Sequence, residues 1–276
     1  MKVKDQVLKQ LEDNKGTYFS GSELAAALGV SRNAVWKAIK SLEKSGYRIS
    51  AVPNKGYCLN MDNDILSSWS IKQHLNHDGL NITVYDTISS TNDVLKEQAA
   101  QGAPHGTVII SQEQTAGKGR MGKNFYSPSK TGIYLSILVR PDIPAGESLF
   151  LTTSAAVATA KAIEDVSDKK TDIKWVNDIA TAVFDSNTDT VNKRSILIAH
   201  LLDYFMDYYE NFDKKSYVDE YIKRSMLIGR RIYIVNGDDK IPVTAKEIDR
   251  DCRLKVEYED GSEKWLSSGE VSIKIK

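Results

Sequence analysis

Between Gly117 and Lys123 the chain sets three glycines (Gly117, Gly119, Gly122) and three cations (Lys118, Arg120, Lys123), with no acid among those seven residues. The stretch lies within SQEQTAGKGRMGKNFYSP, residues 111–128, with Phe125 and Tyr126 just after it. Glycine lets backbone approach an anion closely, and successive N–H groups form an anion-binding nest. The guest this chemistry suits is a phosphate-bearing small molecule. The loop is not a Walker P-loop, because no Gly-Lys-Ser/Thr opens a helix. A basic surface loop without a ligand has the same local composition, so the stretch alone leaves both readings open.

Two further stretches could do chemistry. SSTN (residues 89–92) offers hydroxyls and an amide at the start of a helical pattern, where Ser90 or Thr91 could equally be an N-cap. KWVND ends an apolar stretch in Asn177 and Asp178, an amide and an acid. His74 and His77 stand three apart on an expected helix, and without a third ligand they read as surface, not metal site. His105 and His200 have no evident role. Cys58 and Cys252 are too few for a disulfide framework or a zinc site, which points to a reducing compartment and no structural metal.

The elements that position these residues begin with a basic unit. Val3, Val7 and Leu11 are spaced for a helix. Ser22 is a plausible N-cap for a second helix, which runs to Leu28 and is ended by Gly29. Ser31 caps a third, with Val35, Ile39 and Leu42 as its buried stripe. Two helices about a glycine turn form a helix-turn-helix pattern, and YRISAVPNKGYCL then reads as a hairpin wing. The third helix would present Ser31, Arg32, Asn33, Lys37 and Lys40 to a groove of DNA, Arg and Asn suiting base edges and Lys suiting phosphates. Residues 1–60 hold ten basic and five acidic side chains, the remainder 27 and 32. A small module of charge +5 is thus joined to a body of charge −5, as a local polyanion-binding unit would be.

In the body, ITVYDTI, HGTVIISQ and TGIYLSILVRP read as strands, the last alternating on Ile133, Leu135 and Ile137, and TDIKWVND as another. The glycine-rich loop therefore joins two strands. SLFLTTSAAVATAKAIEDV is an Ala-rich helix. NKRSILIAHLLDYFMDYYENF is amphipathic, with Ile196, Leu197, His200, Leu201, Tyr204 and Phe205 on one stripe. The last fifty residues alternate between short strands and Asn-Gly, Asp-Arg-Asp and Asp-Gly turns, a small β-barrel pattern. No apolar run approaches a membrane span and MKVKDQVLKQ is not a signal peptide, so the expected setting is cytoplasmic, with no membrane partner.

Together the winged helix, DTISSTNDVL, QTAGKGRMGKNFYSP with GIYLSILVRP, KWVND and the closing SGEVSI resemble the bifunctional biotin–protein ligase and biotin operon repressor family across nearly the whole chain. The resemblance implies an α+β multidomain protein. Its parts would be a winged helix-turn-helix (1–62), a mixed α/β ligase-type, SH2-like domain (63–227) and an SH3-like β-barrel (228–276). It implies that biotin and ATP, with Mg²⁺, give biotinyl-5′-adenylate and pyrophosphate. The biotinyl group then passes to a lysine of the biotin carboxyl carrier protein of acetyl-CoA carboxylase or a related carboxylase. It also implies a ligand-dependent homodimer that represses biotin genes at operator DNA. Carried over by position, Ser90, Thr91 and Asn92 contact biotin, and Gln114 lies at the biotin–adenylate junction. Lys118, Gly119 and Arg120 form the loop's ligand-binding triplet, Lys118 and Arg120 being the catalytic candidates. Asn177 and Asp178 organise ATP and Mg²⁺.

The chain departs from the family pattern in Lys118 and Lys123, where arginine is usual, in Phe125 for tryptophan and in Val176 for proline. Lysine cannot make arginine's bidentate fork, so weaker ligand affinity is expected. After Asp178 the family's lysine-bearing GIL hairpin and GIGIN strand have no counterpart, and IATAVFD resembles the family's segment just beyond that strand. The lost lysine is the family's contact to the biotin carboxylate and adenylate phosphate, a type of contact worth roughly 1.5–3 kcal/mol. Losing the strands would leave sheet edges open. The alternative function is a DNA-binding regulator of biotin genes with lost or impaired ligase activity.

Overall fold

A computed structural model describes residues 2–61, 65–119, 124–129, 132–144, 147–179, 193–236, 239–267 and 270–273. The chain forms two compact units. The first comprises residues 1–74, 78–140 and 189–196, the second residues 75–77, 141–188 and 197–276.

The first unit opens with α1 (Val3–Glu12), α2 (Gly21–Leu28) and α3 (Arg32–Lys44), then the hairpin of β1 (Ile49–Val52) and β2 (Gly56–Leu59). The apolar stripes converge as their spacing demands. Val7, Leu11, Leu24, Val35, Ile39 and Leu42 are all fully buried, each contributing roughly 1.5–3 kcal/mol. The cap of α2 falls two residues before the expected Ser22. Ser20 Oγ accepts from Glu23 N–H at 3.1 Å and Glu23 Oε2 from Ser20 N–H at 2.6 Å. Closing that reciprocal box satisfies two N-terminal donors, and Ser22 lacks a glutamate three residues on. Gly29 ends α2 at φ 65°, and Ser31 accepts from Ala34 N–H at 3.1 Å to start α3. The wing is tied to the chain before α2, since Phe19 and Tyr57 exchange backbone hydrogen bonds of 2.9 and 2.8 Å. Gly56 sits there at φ 100°, where a Cβ would collide with the Phe19 carbonyl.

The same unit continues through α4 (Ser68–Lys72) into a three-stranded sheet of order β3-β4-β5. β3 (Asn81–Tyr85) lies parallel to β4 (Thr107–Ser111), joined by α5 (Thr91–Ala100), and β5 (Tyr134–Leu138) is antiparallel to β4. All five residues of β4 are buried, as in a central strand. On β5 the expected alternation is inverted: Tyr134 and Ser136 are buried, whereas Leu135 and Ile137 are half-buried. The reason is polar. Ser136 bonds to the start of α5, at 2.9 Å from Thr91 Oγ1 and 2.7 Å from Asn92 Oδ1.

A buried polar chain runs below α1. Ser67 Oγ donates to Glu12 Oε1 at 2.8 Å, lies 3.1 Å from Ser70 Oγ, and Ser70 Oγ lies 2.9 Å from Ser195 Oγ. Glu12 is 3% exposed, and its other oxygen has no hydrogen-bond partner among the described residues. Burial pushes its carboxyl up to about 7, against a smaller opposing effect of the Ser67 hydroxyl.

The second unit contains α6 (Leu149–Ser167), the two-residue strands β6 (Ile173–Lys174) and β7 (Asp178–Ile179), the body of α7 (Lys193–Glu210), and α8 (Val218–Lys223). KWVND is thus a hairpin turn and not the end of one strand, with Ile173 opposite Ile179 and Lys174 opposite Asp178. The buried face of α7 is also rotated from the expected stripe. Leu197, Ile198, Leu202, Phe205 and Met206 are buried, but His200, Leu201 and Tyr204 are half-buried. His200 Nδ1 and the Tyr204 hydroxyl both bond Asp165 Oδ2, at 2.8 and 2.9 Å, which draws that side of the helix outward. His74 and His77 lie beyond α4, not on a helix, and His77 Nε2 is 2.9 Å from Glu210 Oε1. An antiparallel sheet closes the unit, in the order β11-β10-β9-β8-β12. It is built from β8 (Arg231–Asn236), β9 (Asp239–Ile248), β10 (Leu254–Tyr258), β11 (Glu263–Leu266) and β12 (Glu270–Ile273). Among the described residues no helix is long and apolar enough to cross a membrane.

Candidate functional site

Backbone pairing brings SSTN and the base of the glycine-rich loop side by side. Thr115 N–H donates to Ile88 O at 2.9 Å and Ala116 N–H to Ser89 O at 2.8 Å. The loop then folds on itself: Gln114 N–H donates to Ser127 O at 3.1 Å and Phe125 N–H to Gly117 O at 2.8 Å. Gly117 is required by this closure, because a Cβ there would stand 2.6 Å from both Phe125 O and Ser127 Oγ. The result is a two-stranded pairing that runs out to Lys118, opposite Asn124. It leaves Tyr126 87% exposed. Arg120 and Lys123 fall outside the described residues.

Gln114 joins the two motifs. Its Oε1 accepts from Thr91 N–H at 2.7 Å and lies 3.2 Å from the Thr91 hydroxyl, and its Nε2 donates to Ser127 Oγ at 3.0 Å. Ser90 and Thr91 are buried at the N-terminus of α5, Ser90 holding the N-cap position without a side-chain cap bond. The Ser136 hydroxyl meets Thr91 and Asn92 from β5. Ser90, Thr91, Asn92 and Gln114 therefore belong to one polar cluster at a helix N-terminus, a place suited to an anion or an oxygen-rich ligand. Lys118 Nζ lies 2.7 Å from Asp93 Oδ2, the next residue of α5. Both side chains are more than a third exposed, so this pair is worth at most about 1 kcal/mol and yields easily to a bound anion. Asp93, Ser127 and Ser136 are members of the cluster that the sequence motifs did not single out. Asp93 directly follows SSTN, and that adjacency was the available signal.

In the second unit KWVND is anchored by its middle and open at its end. Buried Trp175 donates through Nε1 to Cys252 O at 2.9 Å, and Tyr221 donates to Val176 O at 2.6 Å. Asn177 and Asp178 are exposed, and Lys174 Nζ lies 3.0 Å from Asp178 Oδ2. One exposed carboxylate suits Mg²⁺, which takes few protein ligands and keeps substrate phosphates. Among the described residues no group of three His, Cys, Asp or Glu could hold a metal by itself.

On the winged helix, Arg32, Asn33 and Lys37 are exposed on α3. Lys40 is held by Glu43 at 2.7 Å, and Ser31 serves as the N-cap. The face that carries Arg32 and Asn33 also carries Trp36, 49% exposed, which the sequence reading passed over.

Three family models match the chain: an HTH domain over residues 3–58, the biotin/lipoate A/B protein ligase family over 84–189, and the biotin protein ligase C-terminal domain over 227–274. The bifunctional ligase/repressor BirA of Bacillus subtilis is 42% identical over 164 residues, 59% of this chain and 50% of that protein. The chain thus spans about half the length of the first curated relatives it matches. BirA of Salmonella typhimurium is 25% identical over 305 residues, 94% of each chain. That alignment is longer than the 276 residues here, so part of it lies opposite gaps in this chain. A biotin protein ligase structure from Aquifex aeolicus, in complex with biotin and ATP, superposes with a TM-score of 0.57 at 19% identity, covering 70% of this chain and 97% of that one. This likeness is one of fold.

Proposed function

We propose, for a chain that belongs to the bifunctional biotin–protein ligase and biotin operon repressor family, that it biotinylates a carrier protein and represses biotin genes. In the first step a carboxylate oxygen of biotin attacks the α-phosphorus of ATP and pyrophosphate leaves. In the second the amine of an acceptor lysine attacks the acyl carbon, AMP leaves and the amine loses a proton. The acceptor is the biotin carboxyl carrier protein of acetyl-CoA carboxylase or a related carboxylase, and the setting is the cytoplasm.

The observation that carries this reading is Gln114, whose amide bonds both Thr91 and the loop residue Ser127. It makes one polar unit of two stretches that are separate in sequence. Ser90, Thr91 and Asn92 hold biotin, and Gln114 lies at its junction with the adenylate. Lys118, Gly119 and Arg120 screen carboxylate from phosphate and stabilise the anionic transition state. Asn177 and Asp178 hold ATP, with Asp178 as the Mg²⁺ ligand. Bound there, Mg²⁺ neutralises phosphate charge. Residues 1–62 bind operator DNA as part of a ligand-dependent homodimer, 63–227 form the ligase domain, and 228–276 are its C-terminal barrel.

A second reading keeps the DNA binding and drops the ligase. It is favoured by the lack of the lysine-bearing GIL strand and by the pairing of Lys118 with Asp93. The intact mass of a carrier domain, after incubation with this protein, biotin, ATP and Mg²⁺, separates the two. An ATP-dependent gain of one biotinyl group supports the ligase. No gain from protein that melts cooperatively leaves the regulator. Arg120→Ala is expected to weaken adenylate binding in calorimetry by about 1.5 kcal/mol or more, the worth of a charged hydrogen bond.

A further inference from the structure

The winged helix exposes a tryptophan that its own packing does not use. Val35, Ala38, Ile39 and Leu42 form the buried stripe of α3, and Trp36 lies off it, 49% exposed. Arg32, Asn33 and Trp36 are spaced i, i+1, i+4 and so share a helix face. That face borders an open groove of about 640 Å³, whose far wall is the wing, with Val52, Asn54 and Tyr57. No carboxylate lines this groove among the described residues. Val52 is itself 36% exposed, so the groove joins two apolar surfaces to a cation and an amide. Arg32 and Asn33 make no side-chain hydrogen bond or ion pair among the described residues.

An occupant must offer an acceptor for Arg32, a donor–acceptor pair for Asn33, and an apolar patch within reach of Trp36, all on an anionic body that the module's +5 charge attracts. The major groove of DNA has that pattern. Guanine offers O6 and N7 to arginine, adenine N6 and N7 to asparagine, and the 5-methyl of thymine is the apolar group on its floor. We infer that Trp36 is a specificity-determining residue of this winged helix, reading a thymine 5-methyl beside the bases met by Arg32 and Asn33. The inference rests on the DNA-binding function proposed above. A tryptophan suits the task because it offers a large rigid surface at small entropic cost.

The test uses the full-length protein, with biotin and ATP present, to retain duplexes from a random-sequence library. The tightest duplex is then remade with deoxyuridine for thymidine, one position at a time. Uracil keeps every hydrogen-bonding group and loses only the methyl. The expected result is one position per half-site where uracil weakens binding about fourfold, the worth of one buried methyl-sized group. In Trp36→Ala that thymine-to-uracil ratio falls to one, while the melting temperature is kept because the side chain is half exposed. A ratio unchanged by Trp36→Ala, or no sensitive position in the wild type, overturns the inference and leaves DNA binding intact. Retention of no duplex overturns both.

Discussion

Helix α3 and the glycine-rich loop both present cations, but Arg32 and Lys37 on the one and Lys118 on the other are held in opposite ways. On α3, Arg32 and Lys37 are exposed and make no side-chain hydrogen bond or ion pair among the described residues. On the loop, Lys118 is paired at 2.7 Å with Asp93. The helix is held by its buried stripe, so Arg32 and Lys37 can stand uncompensated in solvent while Lys40 is paired with Glu43. The arm of the loop is held by a few backbone bonds and by Gln114. Among the described residues its one lysine, Lys118, is balanced by Asp93. Under the proposed function, a surface that finds DNA at long range gains from a standing field. Under the same proposal, a site for a small anion can keep its field covered.

The largest expected effect tests whether the helix's rigidity rests on that stripe. Ile39 is fully buried in the module's core. Ile39→Ala should cost about 2–5 kcal/mol in urea unfolding and abolish DNA retention, since α3 would no longer be held in one orientation. Wild-type DNA affinity in this variant would break the comparison, because the presented charges would then not depend on the core.

The next effect is a pH dependence beneath the same module. Glu12 ionises near 7 when folded and near 4.5 when unfolded, so the folded state keeps a proton that the unfolded chain has released. Stability from this group is therefore full below pH 4.5 and lost as pH rises through 7, about 3 kcal/mol in all. Glu12→Gln should flatten that slope and raise the melting temperature at pH 8 by several degrees. Glu164 in the second unit behaves in the opposite sense. Its hydrogen bond with Arg224 holds it down at about 2, so its contribution is present above 4.5 and lost as pH falls through 2. Calorimetry between pH 4.5 and 8 thus reads Glu12 without interference from Glu164.

Gly117→Ala comes third. The added Cβ would meet the Phe125 carbonyl, which is backbone and cannot turn aside. The arm must open at a cost of about 1–3 kcal/mol, so adenylate affinity should fall about fivefold or more in calorimetry while DNA retention by α3 is unchanged. Loss of DNA retention in this variant would mean that the two cationic surfaces are not independent.

The winged helix was legible in the sequence because its signals are local. Stripes spaced by three and four, Gly29 and Ser31 each decide a boundary within a few residues. The cap of α2 was misplaced only because Ser20 and Ser22 both stand before the helix, and the glutamate that selects Ser20 sits three residues on. The polar cluster at the start of α5 was legible as motifs but not as a constellation. Nothing in SSTN or QTAG states that Gln114 bonds Thr91, because that contact arises from the parallel pairing of β3 with β4. Two apolar stripes were misread for one reason, that a polar side chain overrode the pattern. Ser136 turns inward to meet Asn92, and His200 and Tyr204 turn outward to meet Asp165. Partners distant in sequence leave no periodicity.

The smallest effect separates a cover from a positioning contact. If Asp93 only masks Lys118, then Asp93→Asn removes a competitor for the ammonium. An anionic ligand such as the adenylate should bind up to about fivefold tighter, since an exposed pair is worth at most about 1 kcal/mol. Thermal stability should hardly move, because both partners remain solvated. If the carboxylate instead holds Lys118 where the phosphate must meet it, the same variant binds more weakly, and Asp93→Glu, which keeps the charge, restores part of the loss. Calorimetric titration with a non-hydrolysable adenylate analogue reads the sign directly. Tighter binding would place the loop's charge under internal control, the property that the exposed residues of α3 lack. Weaker binding would make Asp93 part of the ligand site, and the contrast between the two surfaces would then lie in rigidity alone.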